Sequence, residues 1–394
     1  MKLEEVLTYV KEIVDKVRWE GDKALLDYEK RFDGVELAAE ELVVQREEFE
    51  EAWRAIPSKI VEALEKARDR VREFQNKLLP KEERWLSEGV SIEVKWRPME
   101  RVGVYVPGGR AAYPSTVIMN IVPAQVAGVK EIVLCTPPMK KQKRVNPAIL
   151  VAAQLLGVDK VYRVGGAQAI AAMAYGTETI PKVDKVIGPG NIFVTAAKHI
   201  VSREVGIDML AGPSELLIIA GEKADSEWLS LDLAAQAEHD PEAQAVLITT
   251  SKELAEKVAN RCRELSSQVA GKIVVLIADS LEEALEFSNE YAPEHLAVVG
   301  VKEELIDGIK NAGTVFIGEY TVPALGDYIL GANHVLPTGG GAKWRGGLSV
   351  YDFLKPITFQ RAASEALEKL GKAAEALAKV ESLEWHAASI KARS

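Results

Sequence analysis

The sequence predicts an α/β protein built from two doubly wound, Rossmann-like parallel sheets, with small helical extensions at the N- and C-termini. Three observations carry this. From Val102 onward, short β-branched runs alternate with helical stretches, the pattern of right-handed βαβ units. The runs are apolar almost throughout, so both faces of each sheet are covered. They also fall into two groups, separated by Ala211-Gly212-Pro213.

The elements follow in order. Leu3 to Trp19 and Ile60 to Lys77 carry apolar residues at three- and four-residue spacing, with Lys and Glu between them, which predicts amphipathic helices. Pro80 ends the second. Val90 to Trp96 alternates like a half-buried strand. The first group of strands is Val102–Val106, Glu131–Cys135, Lys160–Val164 and Val183–Ile187. The second is Leu216–Ala220, Ala245–Thr249, Ile273–Ile277, Leu296–Val299 and Thr314–Ile317. An eight-stranded barrel is the rival architecture, but the Gly-Pro break and the strandless stretch after Gly318 count against it. That stretch, Gly318 to Asp352, is rich in glycine, and so long a span inside a compact domain points to function. Gln360 to Ser394, rich in Ala, Glu, Leu and Lys, reads as helix.

Composition narrows the function. Of 394 residues, 47% are apolar and 27% charged, enough to build a core and too apolar for a disordered chain. Acidic residues outnumber basic ones by 59 to 49, which argues against a duplex nucleic-acid binder. The basic stretch from Lys140 to Arg144 reads as a solvated loop. Two cysteines, Cys135 and Cys262, cannot build a disulfide framework or a thiolate zinc site. The acidic N-terminus lacks a signal peptide's apolar stretch, and no run approaches the ~18 apolar residues of a membrane span. The expectation is a soluble, cytoplasmic protein with neither a membrane nor a nucleic-acid partner.

Parallel sheets bind ligands at the carboxyl ends of their strands. Three glycine turns stand there: Pro107-Gly108-Gly109, Gly165-Gly166-Ala167-Gln168 and Gly188-Pro189-Gly190-Asn191. They would let a phosphate come close. None is a full dinucleotide fingerprint, so tight βα turns remain the alternative. Gln236 and His239 are three apart and share a helix face, so they could converge on one ion; a surface helix end is the alternative. Glu294-His295 pairs an acid with a base, although adjacent strand residues point apart, so both serve one site only from a loop. Asp327 and His334 lie in the glycine-rich stretch, and Asp327, His239 and a third nitrogen ligand would suit zinc. Cys135 ends a strand with no histidine nearby in sequence, and reads as a small buried hydrophobe rather than a nucleophile.

Together these residues resemble the histidinol dehydrogenase family. The resemblance rests on Tyr105-Val106-Pro107-Gly108-Gly109, Gly165-Gly166-Ala167-Gln168-Ala169-Ile170, Gly188-Pro189-Gly190-Asn191, Ala211-Gly212-Pro213-Ser214-Glu215 and Gln236-Ala237-Glu238-His239-Asp240. It continues through Ala292-Pro293-Glu294-His295-Leu296, Asn333-His334-Val335-Leu336-Pro337-Thr338 and Gly347-Leu348-Ser349-Val350. It implies an NAD-dependent, zinc-containing homodimer that oxidises L-histidinol to L-histidine. It further implies Gln236, His239, Asp327 and His386 as zinc ligands, and Glu294 and His295 as the acid/base pair. Ser214, His334 and Glu381 would contact the substrate, and Tyr105, Gln168 and Asn191 the cofactor. The tail around Glu381-Ser382-Leu383-Glu384-Trp385-His386 keeps the acid and the histidine but little of the usual flanking sequence.

The expected organisation is a helical extension over 1–20, a substrate and zinc domain from 21–101 with 213–348, an NAD domain over 102–212, and a dimerising helical tail over 349–394. Glu381 and His386 are five apart, about 140° around a continuous helix. They face one site only if the helix breaks between them or Glu381 reaches in from an edge. Two rival readings are a metal-free NAD-dependent aldehyde dehydrogenase using Cys135, and a non-catalytic two-domain small-molecule binder.

Overall fold

The computed structural model describes residues 3–108 and 112–393; Gly109 of the first glycine turn lies outside them. Four helices open the chain: α1 (Leu3–Glu20), α2 (Asp22–Tyr28), α3 (Arg46–Ala55) and α4 (Ser58–Lys77). In α1 the stripe Val6, Val10, Ile13, Val14 and Val17 is buried, as its spacing requires. A hairpin follows, β1 (Glu83–Ser87) and β2 (Val90–Pro98). Its turn places Glu88 and Gly89 at φ 48° and 77°, the two positive φ values of a type I′ hairpin.

The first parallel sheet comprises β3 (Arg101–Tyr105), β4 (Glu131–Cys135), β5 (Val161–Tyr162), β6 (Lys185–Ile187) and β7 (Gly206–Ile207). The crossover helices are α5 (Pro114–Ala127), α6 (Pro147–Leu155), α7 (Gly166–Tyr175) and α8 (Ile192–Val201). The order β5-β4-β3-β6-β7 is doubly wound. Side-chain alternation splits its core: Val102 and Val104 face α5 and α6, while Tyr105, Val133 and Cys135 face α7 and α8. Helices α3 and α4 cover the first face, and α1 and α2 the second. Residues 21–78 therefore pack mainly on the helices of the 102–212 sheet, and Arg70 of α4 also reaches the 213–348 segment, donating to Leu330 O at 2.9 Å. The apolar faces of α1–α4 match the outer surfaces of that sheet's helices, which would otherwise remain wet.

The second parallel sheet repeats the winding: β8 (Glu215–Ala220), α9 (Ser226–Ala237), β9 (Gln244–Thr249), α10 (Lys252–Leu265), β10 (Lys272–Ile277), α11 (Leu281–Tyr291), β11 (His295–Val299), α12 (Glu303–Ile306), β12 (Thr314–Ile317) and α13 (Pro323–Tyr328). Its order is β10-β9-β8-β11-β12. Both sheets are open, which removes the barrel.

The tail differs from its helical expectation. β13 (Leu354–Ala362) pairs antiparallel with β2, from Leu354 against Pro98 to Ala362 against Val90. Only then come α14 (Ser364–Val380) and α15 (Glu384–Lys391). The third sheet, β1-β2-β13, thus joins residues on either side of both parallel sheets. Among the described residues no helix is long and apolar enough to cross a membrane.

Candidate active site

The chemistry-bearing residues gather at the amino edge of the second sheet, the opposite edge from the usual ligand position. The carboxyl edge is closed at its switch point. Gly221 N donates to Val299 O at 2.8 Å, and a Cβ on Gly221 would stand 2.1 Å from Gly300 O. At the amino edge, β8 and β11 are neighbours, with His295 opposite Leu216. Glu215, the first residue of β8, holds the pair. Its N–H donates to Glu294 Oε2 at 2.8 Å, and its carbonyl lies 3.2 Å from His295 Nδ1. His295 Nδ1 is 3.5 Å from Glu294 Oε2. Glu294 precedes the strand and Ala292 turns the chain at φ 53°, so the two side chains converge where extended neighbours would diverge.

His295 Nε2 is 3.2 Å from Asp327 Oδ1, and the ring stacks on Phe316 with centroids 5.8 Å apart. Asp327 comes close because Gly326 lies against that ring: a Cβ there would be 2.2 Å from Phe316 Cε1. His334 Nδ1 donates to the Asp327 carbonyl at 2.7 Å, and its Nε2 is 3.3 Å from Thr116 Oγ1 on α5. This assigns the tautomer with Nε2 as acceptor. Asn333 Nδ2 donates to Met119 O at 2.6 Å, fastening the loop to α5. The site therefore lies between the second sheet's amino edge and the helix that leaves the first sheet's β3.

Burial works to lower the His295 pKa, but hydrogen bonds to Asp327 and Glu294 and the charge of both carboxylates outweigh it, pushing the value up to about 10. Burial, with the Glu294 charge nearby, raises Glu215 to about 7. His334 is lowered by burial.

Gln236 lies buried in the last turn of α9, and its Nε2 has no hydrogen-bond partner among the described residues. His239 lies just beyond the helix, with Nδ1 3.2 Å from Gln236 O, leaving Nε2 to ligate. Asp327 is on α13, which packs against α9. An orphaned buried amide, an imidazole and a carboxylate suit zinc by donor type. Among the described residues, however, no group of three or more His, Cys, Asp or Glu side chains is placed to hold a metal. Ser214 immediately precedes β8, half-buried, its carbonyl accepting Gln244 N at 3.0 Å. Glu381 and His386 are exposed on the tail. The helix does break between them, with Ser382 at φ 58°. No hydrogen bond or ion pair among the described residues joins either side chain to the site.

The three cofactor candidates sit at the first sheet's carboxyl edge. Asn191 is exposed and caps α8, its Oδ1 accepting Phe193 N and Val194 N at 3.0 and 3.2 Å, which leaves its amide N–H groups to offer. Tyr105 and Gln168 are buried beneath the turns, 4% and 2% exposed. The Tyr105 hydroxyl accepts Gly166 N at 3.1 Å. Gln168 Nε2 donates to Glu29 Oε1 at 3.0 Å, an oxygen that also accepts Gly165 N at 3.1 Å. These two shape the glycine turn from below. Cys135 is fully buried, and burial pushes its thiol pKa far up, which disfavours a nucleophilic thiolate.

Sequence reasoning missed Glu215, Thr116 and Glu29 as site components. Glu215 acts through its backbone and Thr116 by contact across 218 residues. Glu29 begins a π-helical turn, Glu29–Asp33, of the kind often found at functional sites, and no motif marks it.

Two doubly wound sheets, with glycine turns at the edge of one and Glu294 buried beside His295 at the edge of the other, accord with the oxidoreductase class to which the chain's relatives belong. The sequence profile of the histidinol dehydrogenase family matches residues 1–394. Histidinol dehydrogenase of Methanopyrus kandleri is 48% identical, over 100% of this chain and 95% of its own; that of Methanocaldococcus jannaschii is 47% identical, over 99% and 93%. The crystal structure of histidinol dehydrogenase from Elizabethkingia anophelis superposes with a TM-score of 0.95 at 38% identity, covering 100% of this chain and 93% of that one. The chain belongs to the histidinol dehydrogenase family.

Proposed function

We propose that this protein oxidises L-histidinol through L-histidinaldehyde to L-histidine, the last step of histidine biosynthesis, passing two hydrides to NAD and using zinc. The observation that supports this most is the clustering of Glu294 and His295 around Glu215, with Asp327 3.2 Å from His295. Bound zinc, held by Gln236, His239, Asp327 and His386, would orient the imidazole and amine of histidinol and offset the Asp327 charge that raises the His295 pKa. NAD would supply the hydride acceptor at the Gly165 and Gly188 turns.

The chain's own residues then handle the protons. His295, with Nδ1–H donated to the Glu215 carbonyl, takes the alcohol proton at Nε2 as hydride leaves the carbinol carbon. The aldehyde next needs water. Glu294, fixed by the Glu215 N–H, removes a proton from that water as its oxygen bonds to the carbonyl carbon, while His295 returns its proton to the carbonyl oxygen, giving a hydrate and a neutral His295. His295 takes a hydroxyl proton of the hydrate as the second hydride leaves. No thiol is required, in keeping with the buried Cys135. His334 and Ser214 line the same edge and would contact the substrate, as would Glu381.

The protein acts as a homodimer in this reading. β13 is an edge strand exposed at every residue but Leu354, and Trp85 and Leu86 on β1 and Leu377, Val380 and Trp385 on the tail are exposed as well. A long open edge and exposed apolar side chains need a cover. The test is NADH absorbance from purified protein, L-histidinol and NAD. Two NADH per histidinol, lost on chelation and restored by zinc, are expected; no NADH from zinc-loaded protein refutes the reading.

A further inference from the structure

Five charged side chains that the proposed chemistry does not use form one network between the first sheet and the glycine-rich segment. Asp208, just after β7, accepts Gly188 N on Oδ2 at 2.8 Å and Met209 N on Oδ1 at 2.7 Å. It pairs with Lys198 of α8, whose Nζ donates to Gly188 O at 2.9 Å. One ion pair thus holds Gly188 through both its N–H and its carbonyl. The two side chains are 3% and 1% exposed. Gly188 itself is at φ 114°, and a Cβ there would stand 2.0 Å from Tyr105 O, so the turn is pressed against the end of β3.

The network continues. Arg345 donates from Nη1 to the Asp208 carbonyl and from Nη2 to Asp352 Oδ1 at 3.0 Å. Lys185 of β6 donates to the Asp352 carbonyl at 2.7 Å. Asp352 Oδ2 accepts Ser349 N at 2.9 Å. At the other end of the same segment, Gly339 N donates to Glu215 Oε1 at 3.1 Å, and Thr338 Oγ1 accepts Gly212 N. One stretch of chain is therefore pinned to the residue that holds Glu294 and His295, and also to the turn that ends in Asn191.

A buried ion pair is a weak stabiliser, since desolvation offsets most of its attraction and apolar replacements are often neutral. What charged hydrogen bonds add is orientation. We propose that Lys198 and Asp208 are positioning residues that set the Gly188–Asn191 turn for the dinucleotide, while Arg345 and Asp352 register that turn to the acid–base pair. This rests on reading the turn as a cofactor contact.

The test uses zinc-loaded full-length protein and NAD as the titrated ligand, followed by calorimetry, with steady-state kinetics and urea unfolding alongside. Lys198→Met should raise the Kd and KM for NAD by roughly tenfold or more, the weight of one lost charge-assisted hydrogen bond. The KM for histidinol and the zinc content should hold. Lys198→Met combined with Asp208→Asn removes the charges together and keeps an acceptor for Gly188 N, so it should recover most of the affinity. Arg345→Gln, away from the turn, keeps the assay open should the lysine variant fail to fold; it should lower kcat roughly tenfold or more through misregistry, with NAD affinity nearly unchanged. Variants that lose only unfolding midpoint, with Kd, KM and kcat intact, overturn the proposal. If wild-type protein itself fails to bind NAD, the cofactor reading falls and this proposal with it. If wild type binds and every variant matches it, only this proposal falls.

Discussion

Gly326→Ala tests the way the fold places Asp327. The added Cβ would stand 2.2 Å from Phe316 Cε1, whereas unbonded carbons settle about 3.5–4.0 Å apart. About 1.5 Å must be absorbed, either by α13 backing away or by the Phe316 ring tilting. The ring is buried and stacked on His295, so a tilt disturbs the base. A shift of α13 instead breaks the 3.2 Å contact between Asp327 and His295 and moves Asp327 from its place beside α9. Overpacking of this kind costs about 1–3 kcal/mol. Better helix propensity returns at most about 1 kcal/mol, so the variant should be less stable. A misplacement near 1 Å at the chemistry can cost about 10²-fold in rate. The expected outcome is a lower urea midpoint and a kcat/KM for histidinol reduced about 100-fold. Adding Phe316→Leu, which clears the ring edge, should restore part of both. Wild-type midpoint and kcat/KM in Gly326→Ala would refute the argument.

Glu294→Gln should slow oxidation of the aldehyde more than that of the alcohol, because only the second step needs activated water. The loss should be about 10²–10⁴-fold, read from single-turnover rates with each substrate, and equal minor losses would count against the role. Glu29→Gln should change how stability depends on pH. Burial, and then the Asp33 charge, raises the Glu29 carboxyl from 4.5 to about 8, so the folded state holds its proton more tightly than the unfolded one. The carboxyl is neutral in both states below pH 4.5, and it increasingly opposes folding as pH rises through the window to about 8. Urea midpoints should therefore match at the acid end and favour the variant at the alkaline end; parallel profiles would refute this.

What the sequence makes legible follows from what each feature depends on. The parallel strands declare themselves because burial on both faces demands continuous apolar runs, and eight of the nine predicted runs need only end adjustments of two residues or fewer. Lys160–Val164 shrinks to two paired residues. Gly206–Ile207 is too short to show a pattern. β1 and β13 are hidden for a different reason: their outward residues, Trp85, Leu86, Ile357 and Phe359, are apolar yet exposed, so neither alternates by solvent. Within the site, Glu294, His295, Asp327 and His334 are visible by residue type. Glu215 is not, because it holds Glu294 and His295 through its N–H and carbonyl, which any residue at that register would supply, and its side chain meets Gly339 across 124 residues. The position of the site at the amino edge is equally hidden, since it depends on two glycine backbones meeting across β8 and β11 at the other end.

The tail carries the last prediction. Glu381 and His386 flank a break at Ser382, are exposed, and have no hydrogen bond or ion pair to the cluster around Asp327 among the described residues. The apolar side chains nearest them, Leu377, Val380, Leu383 and Trp385, are exposed as well. A tail that served its own site would bury that stripe against its own sheets. Left open, it fits a second copy, so in the proposed dimer each zinc would draw His386 from the partner subunit. Complementation decides the matter. His386→Ala and His239→Asn chains, each inactive alone, are unfolded and refolded together with zinc. If sites are shared, a mixed dimer has one site carrying both lesions and one carrying neither. With random pairing about half of the dimers are mixed, so activity should return to about one quarter of wild type per mole of dimer. If each site is built within one chain, every site keeps a lesion and nothing returns. Mixed dimers present by native mass spectrometry with no recovered activity would refute the shared site.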